Sequence, residues 1–201
     1  FEFDDQGNVY FCGTGSSATR ISGNVIGSDS TFSYMSFIAK LNSSFQHEWS
    51  YSYEYITFDF YPQMAFNDTY VAFLVDTIPQ HNGIGNYHQL TYYSHNGKHL
   101  RRDSVGGGVF NNMHKNIALE AFGDKFVYVG IVGWDTLSVI SVDPQFNYTQ
   151  LATIKRQSHG NVPFFTSNDS VLILNHIFMD SLAIINDTDF IVNTKHTYPF
   201  Y

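Results

Sequence analysis

The sequence predicts an all-β protein of four repeated four-stranded antiparallel sheets, the unit from which a β-propeller is built. A short apolar run that follows a polar turn occurs four times, beginning at Asn8, Thr69, Lys125 and Ser170. These starts lie 61, 56 and 45 residues apart, close to the length of a propeller blade. A strand–turn–strand pattern follows each run. We therefore expect a single propeller domain or propeller segment, either a four-bladed ring or part of a larger one, with blades at 1–60, 61–114, 115–160 and 161–201.

Each unit is expected to begin with a short strand and a longer second strand. The first strands are predicted at 1–3, 63–66, 119–122 and 163–166, and the second strands at 8–13, 69–74, 125–130 and 170–175. The stretch 126–132 is apolar throughout and lacks the alternation of a sheet with one wet face. We expect both faces of that strand to be covered, as they are when a blade lies between two neighbours.

A hairpin and a fourth strand complete each unit. The hairpins are predicted at 39–45, 92–97, 141–146 and 184–190, and the fourth strands at 48–53, 99–105, 150–155 and 190–195. The dipeptide Asn96-Gly97 predicts a two-residue type I′ turn, because both central residues of that turn need positive φ.

One segment fits two secondary structures. Met113, Ile117 and Ala121 recur at helical spacing and would place three apolar side chains on one face of a short helix over 111–122. The register of the repeats instead favours a loop that enters a strand at Leu119. We adopt the strand, because it completes the third unit.

The opening stretch carries a turn-and-strand motif. We assign to it Asp5, Gly7, Asn8, Val9, Tyr10 and Gly13, followed by Phe37, Lys40, Leu41, Asn42 and Trp49. This motif resembles the repeats of secreted, bacterial-type β-propellers, whose consensus reads Asp-x-x-Gly-Asn-Val-Tyr-x-x-Gly and continues through a Phe-x-x-Lys-Leu-Asn hairpin to a Trp. The resemblance covers about the first quarter of the chain. It implies an extracytoplasmic propeller that serves as a structural or recognition module, without catalytic residues to carry over.

Composition excludes several classes of function. Aromatic residues make up 17% of the chain and charged residues only 14%, against about a quarter in typical domains. The net charge is −8, and cations are adjacent only in the isolated pairs Arg101-Arg102 and Lys155-Arg156. Nucleic acids and anionic membranes both require clustered cations, so we expect neither as a partner. No apolar run reaches the roughly 20 residues that span a bilayer, and we expect no membrane insertion.

The asparagine sequons indicate an extracellular protein, whereas the single cysteine says nothing about the compartment. Cys12 has no partner for an internal disulfide and is expected to be a small buried side chain. Asn-x-Ser/Thr occurs five times, where roughly two or three would arise by chance in such a chain. We predict N-glycosylation at Asn42, Asn67, Asn147, Asn168 and Asn186, all at expected turns, where a glycan does not disturb a core.

The candidate catalytic and ligand motifs favour structural interpretations. The stretch 13–18 satisfies Gly-x-Gly-x-x-Ala, but the β-branched and glycine residues that follow are unsuited to the helix that a dinucleotide site needs. His95 and His99 have a metal-ligand spacing only on a helix; across the predicted turn they point to opposite faces. We assign no catalytic, cofactor or metal-binding residues and expect a protein that is not an enzyme.

Two functions remain open from the sequence. The first is an extracellular structural or adhesive glycoprotein, a propeller subunit of a surface or filamentous assembly with protein partners or self-association. The second is a module that binds carbohydrate or peptide through one face. Its expected stacking surfaces are Tyr51, Tyr53, Tyr55, Tyr61, Tyr87, Tyr92 and Tyr93.

Overall fold

A computed structural model of the chain is all-β over the residues that it describes. These are 1–16, 18–26, 35–54, 62–77, 86–108, 118–133, 136–155, 164–167, 171–175, 182–186 and 190–193. Within these ranges the chain forms four four-stranded antiparallel sheets and one two-stranded sheet. No helix in these ranges has the length and apolarity needed to cross a membrane.

Sheet one carries an inserted hairpin and sheet two does not. Sheet one has the order β1-β2-β5-β6, with β1 at Glu2–Phe3, β2 at Val9–Gly15, β5 at Met35–Leu41 and β6 at His47–Glu54. Between its second and third strands lie β3 (Arg20–Ile21) and β4 (Asn24–Val25), which pair with each other. Sheet two runs in chain order through β7 (Gln63–Phe66), β8 (Val71–Thr77), β9 (Asn86–Tyr93) and β10 (His99–Gly108).

Sheets three and four repeat the arrangement of sheet two. Sheet three contains β11 (Ala118–Phe122), β12 (Lys125–Gly133), β13 (Thr136–Val142) and β14 (Tyr148–Lys155). Sheet four contains β15 (Phe164–Ser167), β16 (Val171–Asn175), β17 (Leu182–Asn186) and β18 (Phe190–Asn193). Each sheet lies within one predicted unit, so the expectation of four four-stranded antiparallel sheets is confirmed. The strand at β11 also decides against a helix over 118–122.

Four hairpin turns share one geometry, which explains why the units look alike in sequence. In the turn that begins at Asn42, the N–H of Phe45 donates to the Asn42 carbonyl at 2.8 Å, and the Asn42 N–H donates to the Gln46 carbonyl at 2.9 Å. This is a type I turn followed by one residue in the left-handed region. The left-handed residues of the four turns are Gly7, Phe45, Gly97 and Phe146, with φ of 77°, 58°, 84° and 62°.

The first side chain of each turn holds the loop in place. Asp143 Oδ1 accepts hydrogen bonds from the N–H groups of Gln145 and Asn147 at 2.9 and 2.8 Å. Asp4 in sheet one accepts in the same way from Gln6 and Asn8 at 3.0 and 2.8 Å. The acidic position of the opening motif is therefore Asp4 and not Asp5, because only Asp4 stands where its carboxylate can bond both amides.

The predicted two-residue turn at Asn96-Gly97 is wrong in its geometry. A type I′ turn needs two residues with positive φ, and here only Gly97 has one. The Gly97 N–H donates to the Ser94 carbonyl at 2.9 Å, so the loop has three residues. As a consequence, His99 pairs with Tyr93 in the sheet.

The β3–β4 hairpin, which the sequence analysis did not predict, covers one face of sheet one. Ile21 and Ile26, on and just after the hairpin, pack with Met35, Phe37 and Ala39 of β5 in a small separate core. The hairpin thus buries the side chains on the face of sheet one that points away from sheet two.

The main core lies between sheets one, two and three. It includes Tyr10 from β2, Phe73 from β8, Tyr92 and Tyr93 from β9, and Phe126 from β12, all buried. Near the first strands of the sheets, β2 contacts β7, β7 contacts β11, and β11 contacts β15. The two faces of sheet two are covered by sheets one and three, which explains the apolar run of β8.

Candidate binding sites between the first two sheets

Two openings of about 430 Å³ each lie where sheet one meets sheet two. The first, here called the inner cleft, is lined by Phe3, Asp4, Asp5, Gln6, Tyr10, Lys40, Phe66, Asn67, Asp68 and His95. The second, here called the tyrosine groove, is lined by Tyr51, Ser52, Tyr53, Tyr93, His99 and Arg102. The two differ in whether their polar groups already have partners.

His95 is the centre of the inner cleft and joins the two sheets. The left-handed Gly97 lets the turn place the imidazole against sheet one. The Nδ1 atom lies 2.8 Å from the hydroxyl of Tyr10, and Nε2 lies 2.8 Å from the carbonyl oxygen of Asn67. A carbonyl only accepts, so Nε2 carries a proton and donates it to Asn67, while Nδ1 is paired with the tyrosine hydroxyl. The two contacts fix the orientation of the ring.

Other side chains of sheet one bond to the backbone of the same turn. Trp49 Nε1 and Lys40 Nζ both donate to the His95 carbonyl, at 3.1 and 3.3 Å. Lys40 also forms an ion pair with Glu48 at 2.9 Å. Burial is the largest single influence on the pKa of Lys40 and lowers it, but the hydrogen bonds and charge interactions with Glu48 and Tyr10 together outweigh burial and raise that pKa above its ordinary value.

Polar groups of the inner cleft form hydrogen bonds that join sheet one to sheet two. Burial raises the pKa of Tyr10, so its hydroxyl stays protonated beside His95 Nδ1. The ring of Tyr10 packs on Phe66 with centroids 4.7 Å apart. The histidine, tyrosine and lysine each bond to another group of the protein, and the bonds of Tyr10 and Lys40 to His95 join the two sheets.

The tyrosine groove lies between the outermost strands of the two sheets, β6 and β10. Trp49, Tyr51 and Tyr53 occupy alternate positions on β6 and therefore share the face that meets sheet two. Tyr51 stacks on Tyr93 with centroids 4.6 Å apart and planes at 19°. Its hydroxyl donates to the Gly97 carbonyl at 2.5 Å, which fixes the ring in position.

Tyr51 and Tyr53 keep part of their surface in contact with solvent. Tyr51 is 36% exposed, whereas Tyr93 beneath it is fully buried. The hydroxyls of Tyr53 and Tyr93 are hydrogen-bonded to each other. The groove therefore has a rigid aromatic wall with one exposed ring and hydroxyl groups along its floor.

Arg102 supplies a positive charge to the same groove. Its guanidinium lies over the ring of Tyr53, 4.9 Å from the centroid. Among the side chains that the structure describes, it has no carboxylate partner. The neighbouring Arg101 points to the opposite face of β10, where Asp103 pairs with it at 2.7 Å. The two arginines thus differ in orientation and in pairing, although they are adjacent in the chain.

At the corresponding boundary between sheets two and three, described aromatic and charged side chains pack against one another. Phe146 packs against Tyr92 at 4.8 Å and under the guanidinium of Arg101 at 5.3 Å. Tyr148 donates to Asp103 at 2.6 Å, so the aspartate is shared between an arginine and a tyrosine. Burial is the main cause of the raised pKa of Tyr148. Arg101 and Tyr148 thus both pair with Asp103 at this boundary.

The structure brings together some of the expected stacking tyrosines and separates others. Tyr51, Tyr53 and Tyr93 meet in the groove, while Tyr92 faces sheet three. Tyr55 and Tyr61 lie outside the described residues, and Tyr87 is described only as part of β9. Sequence reasoning missed Arg102 and His99. The signal for Arg102 was the adjacent arginine pair, since alternation along a strand turns two neighbours to opposite faces.

The structure describes the side chains of three of the five asparagines predicted to be glycosylated. Asn147 is exposed at the turn of sheet three, and Asn42 lies half-buried at the equivalent turn of sheet one. The Asn67 amide donates to the Asp124 carbonyl of sheet three at 3.1 Å. Asn168 lies outside the described residues, and Asn186 ends β17 without a described side chain.

The described residues of the stretch 13–18 and the histidine pair lie in strands and turns. β2 continues to Gly15 and the chain then enters the strands β3 and β4, so no helix begins there. His95 sits in the turn and His99 in β10, four residues apart but engaged in different openings. Among the described residues, no group of three or more histidine, cysteine or acidic side chains is arranged to hold a metal ion. Comparison with protein-family models and with curated proteins found no match.

Proposed function

We propose that this chain is a non-enzymatic recognition module of the β-propeller type that binds carbohydrate through the tyrosine groove. The observation that carries the proposal is Tyr51, an exposed ring held rigidly by its stacking on Tyr93 and its hydrogen bond to Gly97. A fixed aromatic surface binds a ligand with little loss of side-chain entropy. Hydroxyl groups beside an exposed ring match the alternating apolar and polar surface of a sugar.

The propeller arrangement is part of the proposal. Its support is that the first strands β7, β11 and β15 of successive sheets lie next to one another, as the inner strands of blades do. The four sheets would form a four-bladed ring or the part of a larger propeller that this chain supplies. In either case the tyrosine groove lies between the outer strands of two adjacent blades, where a long ligand has room.

An extracellular location and N-glycosylation also belong to the proposal. Their support is the five sequons, of which Asn147 and Asn42 lie at hairpin turns that leave space for a glycan. The side-chain amides of all three described sequon asparagines donate within the protein: Asn147 to Asp143, Asn42 to Gln46, and Asn67 to the Asp124 carbonyl. Asn67 is the least favourable, since its bond crosses to another sheet whereas the other two stay within one turn. Peptide mapping of native material by mass spectrometry tests this part: a glycan at Asn147 is expected, and unmodified asparagine at all five sequons would contradict it.

A glycan array separates carbohydrate binding from its alternatives. The wild-type protein is expected to bind one class of saccharide, and Tyr51→Ala is expected to abolish that binding. Phe45→Ala is the matched control, because Phe45 is an aromatic residue of the same sheet, 61% exposed and away from the groove. Silence of the wild-type protein on the array would contradict the proposed function.

A structural or adhesive role in a surface or filamentous assembly is the second candidate. The observation in its favour is the length of two outer strands, ten residues in β10 and eight in β14, each paired on one side only among the described strands. Unpaired strand edges can pair with another chain. Light scattering that shows concentration-dependent association, together with a silent array, would favour this role with protein partners or self-association.

A further inference from the structure

The geometry points to a carboxylate-bearing saccharide, a sugar of the uronic acid class, as the ligand of the tyrosine groove. This inference rests on the proposed carbohydrate binding and adds the charge of the ligand and the residue that reads it. Arg102 is that residue: it stands at the groove beside Tyr53, and its cation has no acidic partner among the described side chains.

The position of Arg102 suits recognition more than stability. Its guanidinium rests on a ring that is itself fixed, because the Tyr53 hydroxyl is bonded to Tyr93. Stacking orients the plane of the guanidinium without using its N–H groups, and no described residue bonds to them, so they can act as a planar fork. A carboxylate fits that fork through two parallel hydrogen bonds, and such charge-assisted pairs are stronger than neutral ones.

Arg102 differs from two other cations of these sheets, Lys40 and Arg101, because both of those form ion pairs. The protein has a net charge of −8 and only ten lysines and arginines. Each of these two cations has a carboxylate beside it: Glu48 pairs with Lys40, and Asp103 with Arg101. Arg102 and the neighbouring His99 instead line an open groove together. An anionic ligand would complete this pattern by charge complementarity.

The other walls of the groove favour a sugar as the carrier of the carboxylate. Tyr51 offers the exposed face of a ring against which a sugar ring can pack. Ser52, Tyr53 and Tyr93 line the same opening. Their hydroxyl groups can donate hydrogen bonds to sugar hydroxyls and accept hydrogen bonds from them. The opening of about 430 Å³ falls within the usual range of small-ligand sites.

Titration calorimetry with two trisaccharides tests the inference. The probes are a galacturonic acid trimer and the galactose trimer obtained by reducing its carboxyl groups. The full chain is expected to bind the acidic trimer about tenfold more tightly than the neutral one, the effect of one charge-assisted contact in an open site. Raising the salt concentration is expected to weaken only the acidic probe.

Adjacent variants locate the effect. Arg102→Gln is expected to remove the preference for the acidic trimer, and Arg101→Gln, which removes the same charge from the opposite face of the strand, is expected to retain it. Arg102→Lys keeps the charge but not the planar fork and is expected to retain only part of the preference. Arg102→Lys keeps the test valid should Arg102→Gln fold poorly.

The outcomes separate this inference from the function on which it rests. Equal affinity of the wild-type protein for both trimers, with binding still lost in Tyr51→Ala, would overturn the inference and leave carbohydrate binding in place. Equal losses in Arg101→Gln and Arg102→Gln would also overturn it. The absence of binding to either trimer and to every saccharide on the array would overturn both.

Discussion

The indole of Trp49 lies directly against the α-carbon of Gly97, so closely that a β-carbon at position 97 would stand 2.6 Å from Trp49 Cγ. The two residues belong to different sheets, and the contact brings the turn of sheet two onto the face of sheet one. Gly97 is needed twice over, because its φ of 84° also lies in the left-handed region that residues with a β-carbon rarely adopt.

Gly97→Ala is therefore expected to destabilise the protein by at least about 2 kcal/mol, the sum of a backbone cost and a steric overlap in a packed site. Gly123→Ala is the control, since Gly123 also has a positive φ, 58°, but no atom lies within 4 Å of the added carbon. We expect about 1 kcal/mol there. Urea unfolding measures both losses. Equal losses in the free energy of unfolding for the two variants would show that the contact with Trp49 adds nothing to the cost at position 97.

Phe45 and Phe146 occupy the same left-handed position in two turns but differ in their surroundings. Phe45 is 61% exposed, whereas Phe146 packs against Tyr92 and Tyr70 with centroids 4.8 and 5.4 Å away. Phe45→Gly relieves backbone strain and is expected to change the free energy of unfolding by less than about 1 kcal/mol.

Phe146→Gly relieves the same strain but removes the packing between sheets two and three. We expect a net loss of about 2 kcal/mol, because the contacts of a buried aromatic ring outweigh the backbone gain. Thermal or urea unfolding of the two variants in parallel checks this. A smaller loss for Phe146→Gly than for Phe45→Gly would be inconsistent with the packing described here.

The thiol of Cys12 is expected to be unreactive in the folded protein. Burial raises its pKa to about 12, and Sγ donates to the Pro62 carbonyl at 3.3 Å. Since the thiolate is the nucleophile, alkylation by iodoacetamide at pH 8 should be at least about 100-fold slower in buffer than in denaturant. Similar rates in the two conditions would mean that β2 does not lie against the start of sheet two.

Asp143 makes the stability of sheet three depend on pH. Hydrogen bonds from the backbone and side-chain amides of Asn147 hold the pKa of the Asp143 carboxyl below its usual range. A folded-state pKa below the unfolded one contributes stability that is complete above about pH 4 and is lost as the pH falls through the folded value. Asp143→Asn should therefore show a shallower loss of stability in acid than the wild type.

Asn42 makes Asp143→Asn a mild substitution, because an asparagine already begins the equivalent turn of sheet one and accepts the same two backbone hydrogen bonds. Urea unfolding of wild type and variant between neutral and acidic pH measures the difference. If the stability of the two proteins fell equally with pH, the lowered pKa of the Asp143 carboxyl would not contribute to the stability of the fold.

Repetition and hydrophobic pattern predicted the strands well, because each depends on local sequence. The apolar runs at Val9, Val71 and Phe126 and the polar turns before them specify strands wherever they occur. The turn at Gly97 was harder, since its three-residue geometry depends on the bond from Gly97 to Ser94 and on the contact with Trp49, 48 residues away in the chain.

The candidate site was less predictable than the strands. The pattern supplied Tyr51 and Tyr53, because residues two apart on a strand share a face. It did not supply Arg102 or His99, whose meeting with those rings depends on how two sheets pack. The β3–β4 hairpin was missed for a related reason, because two isoleucines, Ile21 and Ile26, are too few to give a periodic signal. Their apolar character makes sense only once the face of sheet one that they cover is known.

The packing of successive sheets against each other is the claim on which the groove and the proposed function both depend. A NOESY spectrum of the folded chain with assigned aromatic resonances tests it most directly. We predict cross-peaks between the rings of Tyr10 and His95 and between those of Tyr92 and Phe146, which join sheet one to two and sheet two to three. Absence of both, while the rings of Trp49 and Tyr51 within sheet one still show their contact, would contradict the account.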